Sequence, residues 1–155
     1  MKNLSINIAV FGEVNSGKGS LLNTLFGCNN DDPSTCFFKL DDRPSNWSDE
    51  AELSNGKVWS NHGDLIVKIY DTPSIAGDIE NYLDISMKIT GKADIILYIV
   101  HESAKSKLQV PYMKKILDSK KPLIVVINKI DVLKSGQIAA IREDLLRNLT
   151  YVLNK

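Results

Sequence analysis

The chain has 155 residues, of which 43% are hydrophobic and 25% are charged, and its formal net charge is zero. This length is typical of one domain and is sufficient to bury a core, while the balanced charge argues against nucleic acid as a partner, because a general electrostatic grip needs a basic face. No apolar run approaches the roughly 18 residues that a membrane span requires, and the N-terminus is too short and mixed to be a signal peptide.

The first predicted element is a strand over residues 5–11 (SINIAVF), and a glycine-rich turn follows it. The turn, GEVNSGK, has the three fixed positions of a phosphate-binding loop at Gly12, Gly17 and Lys18. Apolar residues at positions 21, 22, 25 and 26 predict a helix directly after it,. A strand before the loop and a helix after it are the context that such a loop requires.

The residue types in this turn suit the binding of phosphate. Glycines let backbone N–H groups approach an anion closely, the helix points its positive end at the same place, and Lys18 adds a full charge. The next position is normally Ser or Thr, whose hydroxyl ligates Mg²⁺, but here Gly19 stands there and Ser20 follows. We therefore expect weaker Mg²⁺ binding than in an intact loop. The candidate phosphate-contacting residues are Gly12, Glu13, Val14, Asn15, Ser16, Gly17, Lys18, Gly19 and Ser20.

Residues 28–59 show neither the periodicity of an amphipathic helix nor the alternation of a strand, which predicts a long loop,. A long loop in a compact domain is usually functional. Cys28 and Cys36 lie in this loop without metal-ligand spacing, which predicts two free thiols in a reducing compartment such as the cytoplasm. A short strand is predicted over 57–60, and a hairpin turn over 61–64 leads into a strand over 65–70 (LIVKIY),.

The second half of the chain continues the alternation of strands and helices. Amphipathic segments predict helices over about 78–89, from about 111 and from about 137, with strands over 94–100 (DIILYIV) and 122–127 (PLIVVI),. Runs so rich in Val, Ile and Leu are typical of a parallel sheet that is covered on both faces. The predicted fold is α/β, with three layers and a mostly parallel sheet flanked by helices.

The tetrapeptide Asn128-Lys129-Ile130-Asp131 follows the last predicted strand. A carboxylate at Asp131 can accept both the ring N–H and the exocyclic amine of guanine, whereas adenine presents the wrong donors and would leave a buried charge unpaired. Lys129 would pack its stem beside the base, and Asn128 would tie this loop to the phosphate loop. The two loops together predict a site for GTP or GDP, provided that they are neighbours in the fold.

With both motifs in this order, the sequence resembles the Ras-like superfamily of P-loop GTPases over nearly its whole length. Within it, GEVNSGKGSLLNTLFG is similar to the GxxNxGKS-LLN-L-G signature of the Era-type, translation-associated branch. The resemblance implies that Asp71, in the segment DTPS, holds Mg²⁺ through water and that Thr35 senses Mg²⁺ and the γ-phosphate. It thus implies Lys18, Thr35 and Asp71 as catalytic residues and Ser20, Thr35 and Asp71 as metal-site residues. Asn15 has two interpretations, a potassium ligand as in that branch or simple turn chemistry.

The sequence also departs from the family pattern. Ser74 stands where the family has a glycine that meets the γ-phosphate, and Ile75 stands where Ras-like enzymes have a water-orienting glutamine. No Ser-Ala-Lys turn follows Asp131. The same letters at 103–105 precede residues 128–131, here named the base-reading loop after their predicted role, and we interpret them as coincidence. We therefore expect residues 1–155 to be a single GTP-binding domain without the usual final strand and helix, as in a chain truncated at its C-terminus. An unpaired sheet edge would invite a homodimer or a partner strand.

Three functions are weighed. The leading one is a cytoplasmic switch that hydrolyses GTP to GDP slowly with Mg²⁺, and optionally K⁺, and responds to a protein partner or activator. The alternative is a catalytically impaired GDP/GTP-binding module that regulates a partner, since Gly19, Ser74 and Ile75 each weaken a catalytic part. A P-loop kinase for a small molecule is the third, and the intact motif at 128–131 argues against it.

Overall fold

The structure, a computed structural model, describes residues 4–13, 15–28, 32–36, 38, 56–62, 64–73, 79–101 and 109–153. Its strands are β1 (Leu4–Gly12), β2 (Lys57–His62), β3 (Leu65–Asp71), β4 (Ile95–Val100) and β5 (Leu123–Ile127). Its helices are α1 (Lys18–Leu25), α2 (Ile79–Lys92), α3 (Gln109–Asp118) and α4 (Gln137–Leu153), with short 3-10 turns at Pro33–Thr35 and Ile130–Val132.

The strands form one sheet in the order β2-β3-β1-β4-β5. β1 lies parallel to β3 and β4, and β4 lies parallel to β5, so only β2 runs antiparallel to its neighbour. Because the carboxyl ends of parallel strands share one edge, the segments that follow β1, β3 and β5 converge there, as ligand-binding loops do in open α/β sheets. The mostly parallel sheet predicted from the apolar runs is confirmed.

Helices cover both faces of the sheet, which gives the three predicted layers. Side chains alternate along β1, as strand geometry requires: Ala9 and Phe11 point to one face and Val10 to the other. The larger core packs the first face against α2, α3 and α4, and the smaller core packs the second face against Leu22 of α1 and against Phe38.

The predicted element boundaries coincide with the observed ones or differ from them by at most three residues. β2 continues to His62, which pairs with Leu65, so the hairpin turn is shorter than the four residues predicted. α3 begins at Gln109 and therefore holds Pro111 in its first turn, where proline is tolerated,. Most of the predicted loop over 28–59 lies outside the described residues. In the part of the chain that the structure describes, β5 is the outer strand on its side and no strand follows it.

The prediction of two free thiols is wrong, because Cys28 and Cys36 are joined as a disulfide with their Cα atoms 4.7 Å apart. The disulfide places Cys36, directly after the 3-10 turn Pro33–Thr35, close to the end of α1. The spacing of the two cysteines in the sequence does not predict this proximity. Among the described helices, none combines the length and the apolarity needed to cross a membrane.

Candidate functional site

A buried ion pair marks the centre of the shared strand edge. The Nζ atom of Lys18 lies 2.5 Å from Oδ1 of Asp71, and the two side chains are 3% and 8% exposed. Lys18 opens α1, and Asp71 ends β3 beside Val10 of the neighbouring β1. Removal of one partner from such a pair leaves an uncompensated buried charge, which is strongly destabilising. The pair thus brings together, at one place, the lysine predicted to bind phosphate and the carboxylate predicted to hold a metal ion.

The phosphate loop has the backbone that an anion site needs. Gly17 precedes α1 with φ 82°, in the left-handed region, and no side chain caps the helix, so the first N–H groups of α1 are not taken up by a capping side chain,. Asn15 is also left-handed, with φ 62°. Asparagine tolerates this conformation, so turn chemistry accounts for the residue, and its potassium role stays a prediction.

The segment after β5 lies against the phosphate loop. The side-chain amide of Asn128 donates to the carbonyl oxygen of Ser16 at 2.9 Å, and Lys129 Nζ donates to the carbonyl oxygen of Asn15 at 2.8 Å. The backbone N–H of Asn128 donates to Val100 at the end of β4, which fixes where the segment leaves the sheet. The two loops are therefore neighbours although 112 residues separate Asn128 from Ser16. The site predicted from the sequence required these two loops to be neighbours, and they are.

Asp131 lies in the 3-10 turn Ile130–Val132, directly beyond these contacts, and is exposed. Its carboxylate is therefore open to a ligand at the mouth of the loop. The base-reading role of Asp131 is a prediction that rests on this position.

The three residues predicted for a metal site differ in their surroundings. Asp71 lies in the ion pair, Ser20 is exposed in the first turn of α1, and the hydroxyl of Thr35 donates to the carbonyl oxygen of Asp32 at 2.7 Å. The described residues contain no group of three His, Cys, Asp or Glu side chains that could hold a metal ion alone. Mg²⁺ is usually held by one or two carboxylates together with substrate phosphates and water. The buried Asp71 carboxylate beside the phosphate-loop lysine fits such a site, and Gly19 adds no side-chain ligand to it.

Three predicted positions lie outside the described residues: Val14 of the phosphate loop, and Ser74 and Ile75 after β3. Their neighbour Thr72 is described and fully buried. Its N–H and its hydroxyl both donate to the carbonyl oxygen of Val10, at 3.2 and 2.8 Å. Thr72 therefore fixes the direction in which the chain leaves β3 after Asp71.

Asn23 was missed by the sequence analysis. It is 4% exposed on α1, and its amide makes two hydrogen bonds with the backbone of Phe38, donating to the carbonyl and accepting from the N–H, both at 2.8 Å. The sequence indicates a buried asparagine at this position only by placing Asn23 within the largely apolar segment LLNTLF. A buried amide needs partners, but the identity of the partner does not follow from the sequence.

Two tyrosines, Tyr98 and Tyr112, are buried in the larger core. Burial raises the pKa of Tyr112 to about 12. Its hydrogen bond to Ser86 lowers the pKa, but by less than burial raises it. Burial also raises the pKa of Tyr98, and the charge of Glu13 adds to this shift. Tyr98 is fully buried, and its hydroxyl has no hydrogen-bond partner within the described residues.

The comparisons with known proteins agree with this arrangement. Among solved structures, Era from Aquifex aeolicus, bound to GDP and AlF4⁻, is similar with a TM-score of 0.67 and 22% identity over 95% of this chain and 48% of that chain. A septin GTPase domain from Chlamydomonas reinhardtii is similar with a TM-score of 0.65 and 18% identity, over 92% and 59% of the two chains. An Era complex with MgGDPNP and nucleotides 1506–1542 of 16S ribosomal RNA is similar with a TM-score of 0.65 and 22% identity, over 93% and 47%.

At these identities the likeness shows the fold, and the chain spans about half the length of the Era chains it matches. A search of curated proteins finds no match. The profile of a family described as 50S ribosome-binding GTPase matches residues 7–129, from β1 to the base-reading loop. This match covers most of the chain, including the whole phosphate loop and the first two residues of the motif at 128–131. The chain therefore belongs to this GTPase family and has an Era-like P-loop fold.

Proposed function

We propose that the chain is a guanine-nucleotide-binding switch that hydrolyses GTP to GDP slowly. The observation that carries the proposal is the contact between the two loops, in which Asn128 and Lys129 bind the backbone of the loop that ends in Lys18. Through this contact, one ligand would reach both the carboxylate of Asp131 and the cation of Lys18. Membership of the GTPase family supports the same conclusion.

The residues suggest a division of tasks in phosphoryl transfer. Lys18 and the N–H groups at the start of α1 would bind the phosphates and stabilise negative charge that develops on them. Asp71 would exchange its contact with Lys18 for one with Mg²⁺ or its water shell. Bound Mg²⁺ would supply neutralisation of charge on the transferred phosphoryl group. Water would attack the γ-phosphorus in line, while Asp131 would hold the base.

Slow turnover is proposed because the catalytic parts are reduced. Gly19 removes the hydroxyl that normally ligates Mg²⁺, and Ser74 and Ile75 replace the family glycine and the Ras-like glutamine. The same three residues support the second candidate, a GDP/GTP-binding module that regulates a partner without hydrolysis. A potassium ion at Asn15 would compensate in part for the missing groups, and its effect on turnover separates the two candidates.

The partner we propose is a protein that responds to the nucleotide state. The printed description of one Era structure names nucleotides of 16S ribosomal RNA as its ligand, so net charge alone does not exclude RNA for a chain of this fold. The outer edge of β5, which pairs with no strand in the described ranges, supports a strand partner or a second copy of this chain,.

Calorimetry with GDP, GTP and ATP, followed by phosphate release in potassium or sodium buffer, tests the proposal. We expect guanine nucleotides to bind and ATP not to bind, with slow phosphate release from GTP. Asp131→Ala should remove the preference for guanine, and Lys18→Ala should abolish phosphate affinity. Asp118→Ala and Lys114→Ala, at exposed positions of α3, are the matched controls. Tight GTP binding retained in both site variants would refute the site, whereas binding without phosphate release in either salt would favour the module.

A further inference from the structure

The disulfide lies at the turn that carries Thr35. Cys28 lies shortly after α1, which ends at Leu25, and its N–H donates to the carbonyl oxygen of Asn23 at 2.9 Å. Cys36 follows Thr35, and the two cysteines are eight positions apart with both side chains half-buried. The covalent link therefore ties the residue next to Thr35 to the end of α1.

The same segment is anchored to α1 a second time, two residues further on. Asn23 holds the backbone of Phe38 through two hydrogen bonds, and the Phe38 ring packs edge-on against Phe26 at 5.1 Å between ring centroids. The anchor at Phe38 is non-covalent, whereas the anchor at Cys36 is a bond that thiol chemistry can open. Since α1 begins with Lys18, the disulfide connects the Thr35 turn to the helix that presents the phosphate loop.

We propose that Cys28 and Cys36 form a reversible redox site that controls how the Thr35 turn responds to the γ-phosphate. In the oxidised form the bond holds the turn at the C-terminal end of α1. In the reduced form the covalent link is lost while the Phe38 anchor stays, so the Thr35 turn can shift toward a nucleotide bound at the other end of the helix. This regulation rests on the proposed GTP switch, because Thr35 matters only if the γ-phosphate is sensed.

The chemistry is thiol–disulfide exchange with a low-molecular-weight disulfide such as glutathione disulfide. The thiolate of one cysteine attacks a glutathione sulfur and expels one glutathione thiolate, which leaves a mixed disulfide. The second cysteine thiolate then attacks the protein sulfur of that mixed disulfide and expels the second glutathione thiolate. Two cysteine thiols are oxidised, one glutathione disulfide is reduced, and the two protons pass to the two glutathione thiolates.

The first measurement is the redox state of the two cysteines. The full chain is equilibrated in buffers with graded ratios of reduced to oxidised glutathione, alkylated, and weighed by mass spectrometry. We expect a reversible conversion between dithiol and disulfide across these ratios. A pair that stays fully reduced, or fully oxidised, at every ratio would overturn the proposal.

The second measurement is calorimetry with GDP and a non-hydrolysable GTP analogue on the oxidised and reduced chain. Reduction should tighten the GTP analogue relative to GDP by about tenfold, a usual size for coupling between two sites. Cys28→Ser and Cys36→Ser should each bind like the reduced chain in both buffers, and Thr35→Ala should remove the difference. The wild-type chain alone suffices if a serine variant does not fold.

The two ways of failing are distinct. Equal ratios of GTP-analogue to GDP affinity in both redox states would overturn the regulation and leave the nucleotide site intact. Absence of guanine-nucleotide binding in both states would overturn the proposed function and the regulation with it.

Discussion

Gly17 has two properties that few residues can satisfy together. Its φ of 82° lies in the left-handed region, and a Cβ at this position would lie 2.5 Å from Nδ2 of Asn128 and 3.2 Å from Cε of Lys129. Any side chain would thus strain the turn and push the base-reading loop away from the phosphate loop. The glycine is therefore required for the contact between the two loops.

Gly17→Ala should weaken GDP binding by at least about tenfold, because strain in a left-handed residue of about 1–3 kcal/mol adds to the displacement of Asn128. Calorimetry measures this. The control is Gly91→Ala in α2, where φ is not in the left-handed region and a Cβ would meet nothing within 4 Å; its GDP affinity should equal that of the wild type.

A double-mutant cycle separates the clash from the strain. In an Asn128→Ala background the atom that opposes the new Cβ is gone, so Gly17→Ala should cost less than it does alone. Contacting residues are expected to couple by about 0.5–3 kcal/mol. Strictly additive effects on GDP affinity would show that the two loops do not meet at this point.

The two buried tyrosines give a matched pair of substitutions. Tyr98→Phe removes a buried hydroxyl without a partner in the described chain, so unfolding free energy should stay unchanged or rise slightly,. Tyr112→Phe removes a hydroxyl that donates to Ser86 at 2.5 Å and should destabilise the fold by about 1 kcal/mol,. Urea unfolding ranks the two variants, and a larger loss for Tyr98→Phe would contradict the assignment.

At the scale of elements, α1 acts through both of its ends and through its buried face. Its N-terminus presents Lys18, its C-terminal end holds Cys28, and Asn23 between them binds Phe38. Leu22 packs into the smaller core and fixes the rotation of the helix on the sheet. A change at Asn23 should therefore reach the Thr35 turn without disturbing the phosphate loop.

Asn23→Ala should loosen the Phe38 segment, because the N–H and carbonyl of Phe38 both lose a buried partner at a cost of about 1–3 kcal/mol. Hydrogen exchange of the Phe38 amide measures the loosening directly. Thr24→Ala, one position away, is the control, since its hydroxyl donates only within α1, to the carbonyl oxygen of Ser20. Equal exchange rates at Phe38 in both variants would contradict the role of Asn23.

The sequence predicted the strands and helices well where the hydrophobic residues follow a clear strand or helix pattern. The apolar runs of β1, β3, β4 and β5 and the stripe of α4 each occur in the structure within a few residues of their predicted bounds. The meeting of the phosphate loop and the base-reading loop was also predictable, because both follow parallel strands whose carboxyl ends share an edge. The Cys28–Cys36 disulfide and the Asn23–Phe38 contact were not, since both depend on how an aperiodic segment returns to α1. Periodicity carries no information about such a return.

At the scale of the whole molecule, β5 is an outer strand of the sheet, and no described strand pairs with its outer side. β5 pairs with β4 on one side, and Ile124 on this strand is 50% exposed. The strand has the sequence LIVVI and carries no charge or proline that would blunt its edge,. Two copies related by a two-fold axis would pair β5 with β5 antiparallel and would continue the sheet through both molecules.

The 155-residue chain should therefore associate weakly with itself, with a sedimentation coefficient that rises with concentration. Ile124→Lys should abolish the rise, because a lysine on an edge strand opposes pairing with a second strand. The matched control is Ile138→Lys on α4, where the replaced isoleucine is 42% exposed and lies outside the sheet. If the wild type and both variants sediment alike at every concentration, the edge of β5 does not mediate association. If Ile138→Lys abolishes the rise and Ile124→Lys does not, the contact lies on the helical face instead.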